Sequence, residues 1–165
     1  MKASSVHEIK KELNQKTPAE LAELTLRLAR FKKENKELLT YLLFESENES
    51  GYVTSVKEEM NEKFDEIPGS HNIYFKLKMI RKILRMVNKY IRYSSIESTE
   101  IELRIHFCKS IQTLRIPEGK SQALDNLYHN CLGKCFTILE KMHEDLRSDY
   151  EEELKMLLPL QDKRS

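Results

Sequence analysis

Three cysteines and five histidines are the side chains in this sequence best suited to chemistry, and two of the cysteines have a helical spacing. Cys131 and Cys135 are four residues apart, which places them on one face of a helix. Together with His106 and Cys108 on the preceding helix, they could supply soft ligands for zinc. However, no CxxC knuckle is present, and His106 and His129 each lie two residues from a cysteine, on a different helical face. Because both cysteines continue an apolar stripe, the sequence predicts core residues, with no metal site and no cofactor.

One pair of residues has the spacing of a di-iron ligand motif. Glu140 precedes His143 by three residues, as in helical di-iron proteins, but the sequence contains no second copy. It also contains no glycine-rich phosphate loop, nucleophile elbow or HExxH motif. The carboxylates lie in charged runs such as EEE. We therefore predict no catalytic site and no enzymatic activity.

A long stretch without acidic residues is the main functional lead. No Asp or Glu occurs between Glu66 and Glu97, and the segment KLKMIRKILRMVNKYIRY, residues 76–93, contains seven Lys and Arg. On a helical wheel its apolar residues cover about 200°, and six of the basic residues fall within about 100°. These six residues form what we call the basic stripe: Lys78, Arg81, Lys82, Arg85, Lys89 and Arg92.

Three interpretations of the basic stripe remain open. It could be a solvated face neutralised by the acidic segments 52–67 and 144–153, in surface pairs that contribute only about 0–1 kcal/mol each. It could bind nucleic acid or another polyanion, which needs clustered Lys and Arg, although its tyrosines are not interleaved for stacking. It could bind an acidic protein partner. The net charge of +1 does not by itself indicate a polyanionic partner.

A narrow apolar seam continues toward the C-terminus. Its members are three or four residues apart and are separated mostly by charged residues: Leu146, Tyr150, Leu154 and Leu157. The seam could pack on its own domain, or it could pair with a partner helix or a second copy in a homodimer. It covers barely two heptads, which is fewer than the roughly three to four that a coiled-coil prediction requires.

Helices must position all of these side chains. Gly and Pro number only four each in 165 residues, too few for the many turns of a β-rich domain, and the apolar residues recur at helical spacing. The sequence predicts an all-α fold of six to seven helices, over about 6–15, 18–33, 35–47, 52–67, 72–93, 98–114 and 121–158. The last is one long C-terminal helix, in which Gly133 could mark a bend. Whether 18–33 and 35–47 are separate helices is open.

Short loops favour antiparallel neighbours, in either a closed bundle or a short stack of helical hairpins. A chain of this length is expected to form a single domain, 1–165. The segment ELLTYLLFE is apolar nearly all round, which predicts that residues 38–44 lie near the centre of the fold. An odd cysteine count, a polar N-terminus and no apolar run of roughly 18 residues favour a cytoplasmic protein without membrane association.

These features together predict a non-catalytic helical protein-interaction or scaffold domain, which binds another protein or itself. Nucleic-acid or polyanion binding through the basic stripe is the alternative. Neither the motifs nor the charge pattern identifies a partner.

Overall fold

The computed structural model describes residues 2–69 and 72–158, and the regular structure within these ranges is entirely helical. The all-α class predicted from the sequence is confirmed. The described residues form eight α-helices: α1 (Val6–Leu13), α2 (Pro18–Phe31), α3 (Lys33–Thr40), α4 (Glu49–Asp65), α5 (Ile73–Ser94), α6 (Glu97–Thr113), α7 (Gln122–Leu139) and α8 (Glu144–Leu157). A π-helical segment, Tyr41–Glu45, follows α3. None of the helices in the described ranges is long and apolar enough to cross a membrane.

Local capping signals set the start of α2, and an extended residue sets its end. The Thr17 hydroxyl accepts a hydrogen bond from the Glu20 amide, and the Thr17 amide donates to Glu20 Oε2 at 2.8 Å, which completes a capping box. Lys32 is extended, with φ −141° and ψ 143°. Asn35 Nδ2 donates to the Leu28 carbonyl at 2.8 Å across this break. The segments 18–33 and 35–47 are therefore separate helices.

The chain divides into two compact units, Met1–Glu45 and Ser46–Ser165. The single domain expected from the sequence stays a prediction. The first unit contains α1, α2, α3 and the π-helical segment. None of the described residues of its three α-helices is buried. Tyr41, in the π-helical segment, is a buried side chain of this unit. Leu42, Leu43 and Phe44 are each more than half exposed, so the prediction that 38–44 lies at the centre of the fold is wrong. A helix that is apolar all round requires cover, but its sequence does not specify what provides that cover.

The hydrophobic core lies in the second unit, around α6. Ile101, Leu103 and Phe107 on α6 are fully buried, and α4, α5, α7 and α8 all contact this helix. The apolar face of α5 contributes Ile80 and Val87, which are also fully buried. A helix with neighbours on several sides must be apolar over most of its circumference. This core fixes α5, with its basic stripe, and α7 around α6.

The long C-terminal helix predicted over 121–158 is wrong, because the chain leaves helical geometry at 140–143 and forms α7 and α8 separately. His143 is extended, and its Nδ1 accepts a hydrogen bond from the Asp145 amide at the start of α8. Gly133 lies within α7, not at the break. The break allows α8 to contact α6 and to bury Leu154 and Leu157. The apolar spacing continues through 140–143 without interruption, so periodicity could not reveal it.

Candidate interaction sites

The structure places the basic stripe along the outer face of α5. Asn72 caps the start of this helix by accepting a hydrogen bond from the Phe75 amide at 2.9 Å. Five stripe residues are exposed: Lys78, Arg81, Lys82, Arg85 and Arg92. Lys89 is half-buried, and its Nζ lies 4.6 Å from the centroid of the Tyr90 ring, within the range of a cation–π contact.

The exposed stripe residues are not neutralised by carboxylates of the described chain. None of the five forms an ion pair with a described residue, whereas one glutamate of the adjacent helix α4 and two glutamates of α8 bind other residues. Glu59 of α4 accepts a hydrogen bond from the Tyr90 hydroxyl at 2.7 Å. Glu153 of α8 pairs with Lys109 at 3.0 Å, and Glu151 lies 3.7 Å from Lys155. The exposed part of the basic stripe is therefore a solvent-facing cationic surface.

One edge of the basic stripe borders a groove of about 600 Å³ between α5 and α7, which we call the α5–α7 groove. Arg81 and Arg85 line it from α5, and Lys134 lines it from α7. Leu84 and Leu127 provide apolar surface on the same two helices. None of the described residues that line the groove is acidic. The groove thus combines apolar surface with cations on both walls.

A buried arginine of α6 also borders the α5–α7 groove. Arg104 is 5% exposed, and its guanidinium binds Glu100 one helical turn earlier, with Nε and Nη2 at 2.8 and 2.6 Å from Glu100 Oε1. This ion pair compensates the positive charge of Arg104, whose burial without a partner would cost free energy. The uncompensated charge of the groove therefore comes from Arg81, Arg85 and Lys134.

The three cysteines are buried free thiols, so the prediction that Cys131 and Cys135 are core residues is confirmed. Cys131 also lines the α5–α7 groove. A hydrogen bond between Cys108 and Cys131 raises the pKa of the Cys108 thiol, with burial adding to the effect. The same bond lowers the pKa of Cys131, near Arg104. Burial raises the pKa of Cys135 to about 12. Within residues 2–69 and 72–158, no three His, Cys, Asp or Glu side chains are arranged to hold a metal ion.

The structure places the residues that suggested a di-iron motif at a helix break, and it gives His106, a candidate zinc ligand, a hydrogen-bond partner. Glu140 and His143 flank the break between α7 and α8, so they do not share a helix. His106 Nε2 lies 2.7 Å from Asn61 Oδ1, a hydrogen bond between α6 and α4. Burial, together with nearby Lys57 and Lys109, lowers the pKa of His106.

The C-terminal apolar seam packs largely within the second unit. Leu154 and Leu157 are buried, and Tyr150 is half-buried with its hydroxyl donating to Glu102 Oε1 at 3.2 Å. Of the four seam residues, only Leu146 is exposed. This geometry favours packing of the seam within the second unit over pairing with a partner helix.

Most of the exposed large apolar side chains of the described residues lie in the first unit, a surface that the sequence pattern did not single out for binding. Ten of these sixteen side chains lie within residues 6–44. A groove of about 680 Å³ between α1 and α2, which we call the α1–α2 groove, is lined by the apolar side chains of Ile9, Leu13, Leu24, Leu28 and Phe31. Their helical spacing is visible in the sequence, but such spacing ordinarily predicts burial within the chain. Exposed apolar patches of this kind mark interaction sites.

Comparison of the chain with protein-family models, curated proteins and solved structures found no match.

Proposed function

We propose that this chain is a non-catalytic protein-interaction domain whose α5–α7 groove binds an acidic amphipathic helix of a protein partner. The observation that carries the proposal is the combination, in one groove, of unpaired cations with apolar surface. Arg81, Arg85 and Lys134 supply the charge, and Leu84 and Leu127 supply the apolar surface. A ligand that satisfies both must be acidic and apolar at once.

An amphipathic helix meets these requirements through its regular spacing. Apolar side chains three and four residues apart anchor such a helix in a groove, where they would contact Leu84 and Leu127. Acidic side chains on its two flanks would meet Arg81 and Arg85 on one wall and Lys134 on the other. Complementary charges of this kind fix orientation and raise the association rate.

The groove suits an acidic helix better than a nucleic acid, which is the alternative function. No aromatic side chain is among the described residues that line it, so bases would find no stacking platform. Phosphates would use the cations but not the leucines.

A direct binding measurement tests the proposal and separates it from the alternative. The probe is a fluorescent synthetic peptide of about five helical turns, or ~18 residues, with leucine at three- and four-residue spacing and glutamate on both flanks. We expect saturable binding that weakens with salt, and weaker binding of a scrambled peptide with the same composition. Equal binding of the two peptides would contradict the proposal, and preferential binding of duplex DNA would support the alternative.

Charge reversals inside and outside the groove locate the binding site. Arg85→Glu with Lys134→Glu reverses one cation on each wall of the groove and should abolish peptide binding. Lys82→Glu makes the same charge change on α5, but Lys82 lies about 100° around the helix from Arg81 and does not line the groove. We expect Lys82→Glu to retain most of the affinity. Equal losses would mean that the peptide senses general charge and not the groove.

A further inference from the structure

We infer that the first unit is a homodimerisation element, in which the α1–α2 groove of one copy packs against the same groove of a second copy. This inference concerns a different unit and different residues from the α5–α7 groove. It stands whether or not an acidic helix binds there.

The apolar face of the first unit needs cover that its own helices do not provide. Ile9 is 48%, Leu28 is 62% and Phe31 is 77% exposed. The helices that carry them have 8 and 14 residues, lengths that are marginal in water unless an amphipathic face is packed. A unit of this size is also near the lower limit for a self-sufficient core. Burial of this face against another surface would supply the missing packing.

The charges beside the groove indicate that the covering surface is a second copy. Glu12 lines the groove from α1, and Arg27 lines it from α2. Neither forms an ion pair with a described residue, whereas the neighbouring Glu8 is engaged in the helix cap with Ser5. Lys16 likewise lies 3.8 Å from Glu20. Glu12 and Arg27 are thus unpaired charges of opposite sign on opposite walls.

Such a surface is complementary to itself. In a two-fold symmetric interface, each contact between two different residues occurs twice. When α1 of one copy lies along α2 of the other, Glu12 of each copy faces Arg27 of its partner. The same arrangement encloses Leu28 and Phe31 of both copies between four helices, the packing of a small helical bundle.

Sedimentation equilibrium of the full chain tests the inference. We expect a mass twice the 19.6 kDa of one chain, with dissociation on dilution. Leu28→Asp with Phe31→Ser should give a monomer that keeps most of the helical circular-dichroism signal of the chain, because most helical residues lie in the second unit. The matched control is Leu26→Asp, because Leu26 is 51% exposed on α2 but does not line the groove. This control should remain dimeric.

Charge reversal tests the reciprocal contact itself. Glu12→Arg alone and Arg27→Glu alone should each raise the dimer Kd about tenfold, because like charges then face each other. An equimolar mixture of the two variants should form a heterodimer with restored affinity, since both contacts then join opposite charges. A wild-type monomer at every concentration reached, a dimer insensitive to Leu28→Asp with Phe31→Ser, or no restoration in the mixture would each overturn the inference.

Discussion

The Tyr150 hydroxyl donates a hydrogen bond to Glu102 Oε1 at 3.2 Å and thereby joins α8 to α6. The other carboxylate oxygen of Glu102 accepts from Lys57 Nζ of α4 at 2.8 Å. Three helices of the second unit therefore meet at one carboxylate. For the seam that contains Tyr150, the sequence left packing on its own domain and pairing with another helix both open, and in the structure Tyr150 connects helices within the second unit.

Substitutions of Tyr150 should change stability according to the hydrogen bond they leave. Tyr150→Phe removes the hydroxyl, which should lower the free energy of unfolding by about 0.5–1.5 kcal/mol. Tyr150→Asp also removes the ring packing and adds a carboxylate beside Glu102, so it should lower the free energy of unfolding by more than Tyr150→Phe does. Urea unfolding followed by circular dichroism measures both. If both variants unfold at the wild-type urea concentration, the hydrogen bond does not stabilise the fold in solution.

Two half-buried tyrosines, Tyr128 and Tyr150, predict a loss of stability at alkaline pH. Burial, with Glu102 nearby, raises the pKa of Tyr150 to about 12, and burial raises that of Tyr128 to about 12. In the unfolded chain the phenols ionise near their ordinary value of about 10, while in the folded chain they keep their protons. The free energy of unfolding should therefore fall as pH rises from about 10 to about 12. Tyr150→Phe should reduce this fall, as measured by urea unfolding across that range, and an unchanged slope would contradict the assignment.

Truncation of the seam leucines distinguishes packing from partner binding. Leu154→Ala and Leu157→Ala each remove a buried side chain from α8 and should cost about 2–5 kcal/mol of unfolding free energy. Leu146→Ala is the matched control, because Leu146 is 50% exposed on the same helix. It should change stability by no more than about 0.5 kcal/mol. Thermal and urea unfolding would reveal the difference, and similar losses for all three variants would mean that α8 does not pack as described.

The helices themselves were predictable because their signals are local. The capping box of Thr17 and Glu20 marks the start of α2 in both sequence and structure. The division of α5 into apolar and basic faces follows from residue spacing alone, and the structure buries Ile80, Ile83 and Val87 on its apolar side. Such features depend on residues within a few positions of one another.

The remaining features depend on residues that are distant in the sequence. The break at 140–143 accompanies the packing of Leu154 and Leu157 in the second unit. Local residue spacing does not predict where these two side chains pack. The exposure of Leu28 and Phe31 was unpredictable for the same reason, since their spacing equally suits a core helix. Lys134 lies in the candidate site because the fold places α7 opposite α5, a relationship that the sequence pattern does not show. Periodicity identifies an apolar or basic face but not what lies opposite it.

Selection from a random peptide-display library is the most direct test of the proposed function, because it assumes no partner. The wild-type chain should enrich peptides with acidic residues on both sides of apolar residues spaced three and four apart. The enriched peptides should bind the Lys82→Glu variant but not the variant with Arg85→Glu and Lys134→Glu. Failure to enrich any such pattern, or equal binding of the enriched peptides to both variants, would contradict the α5–α7 groove as a protein-binding site.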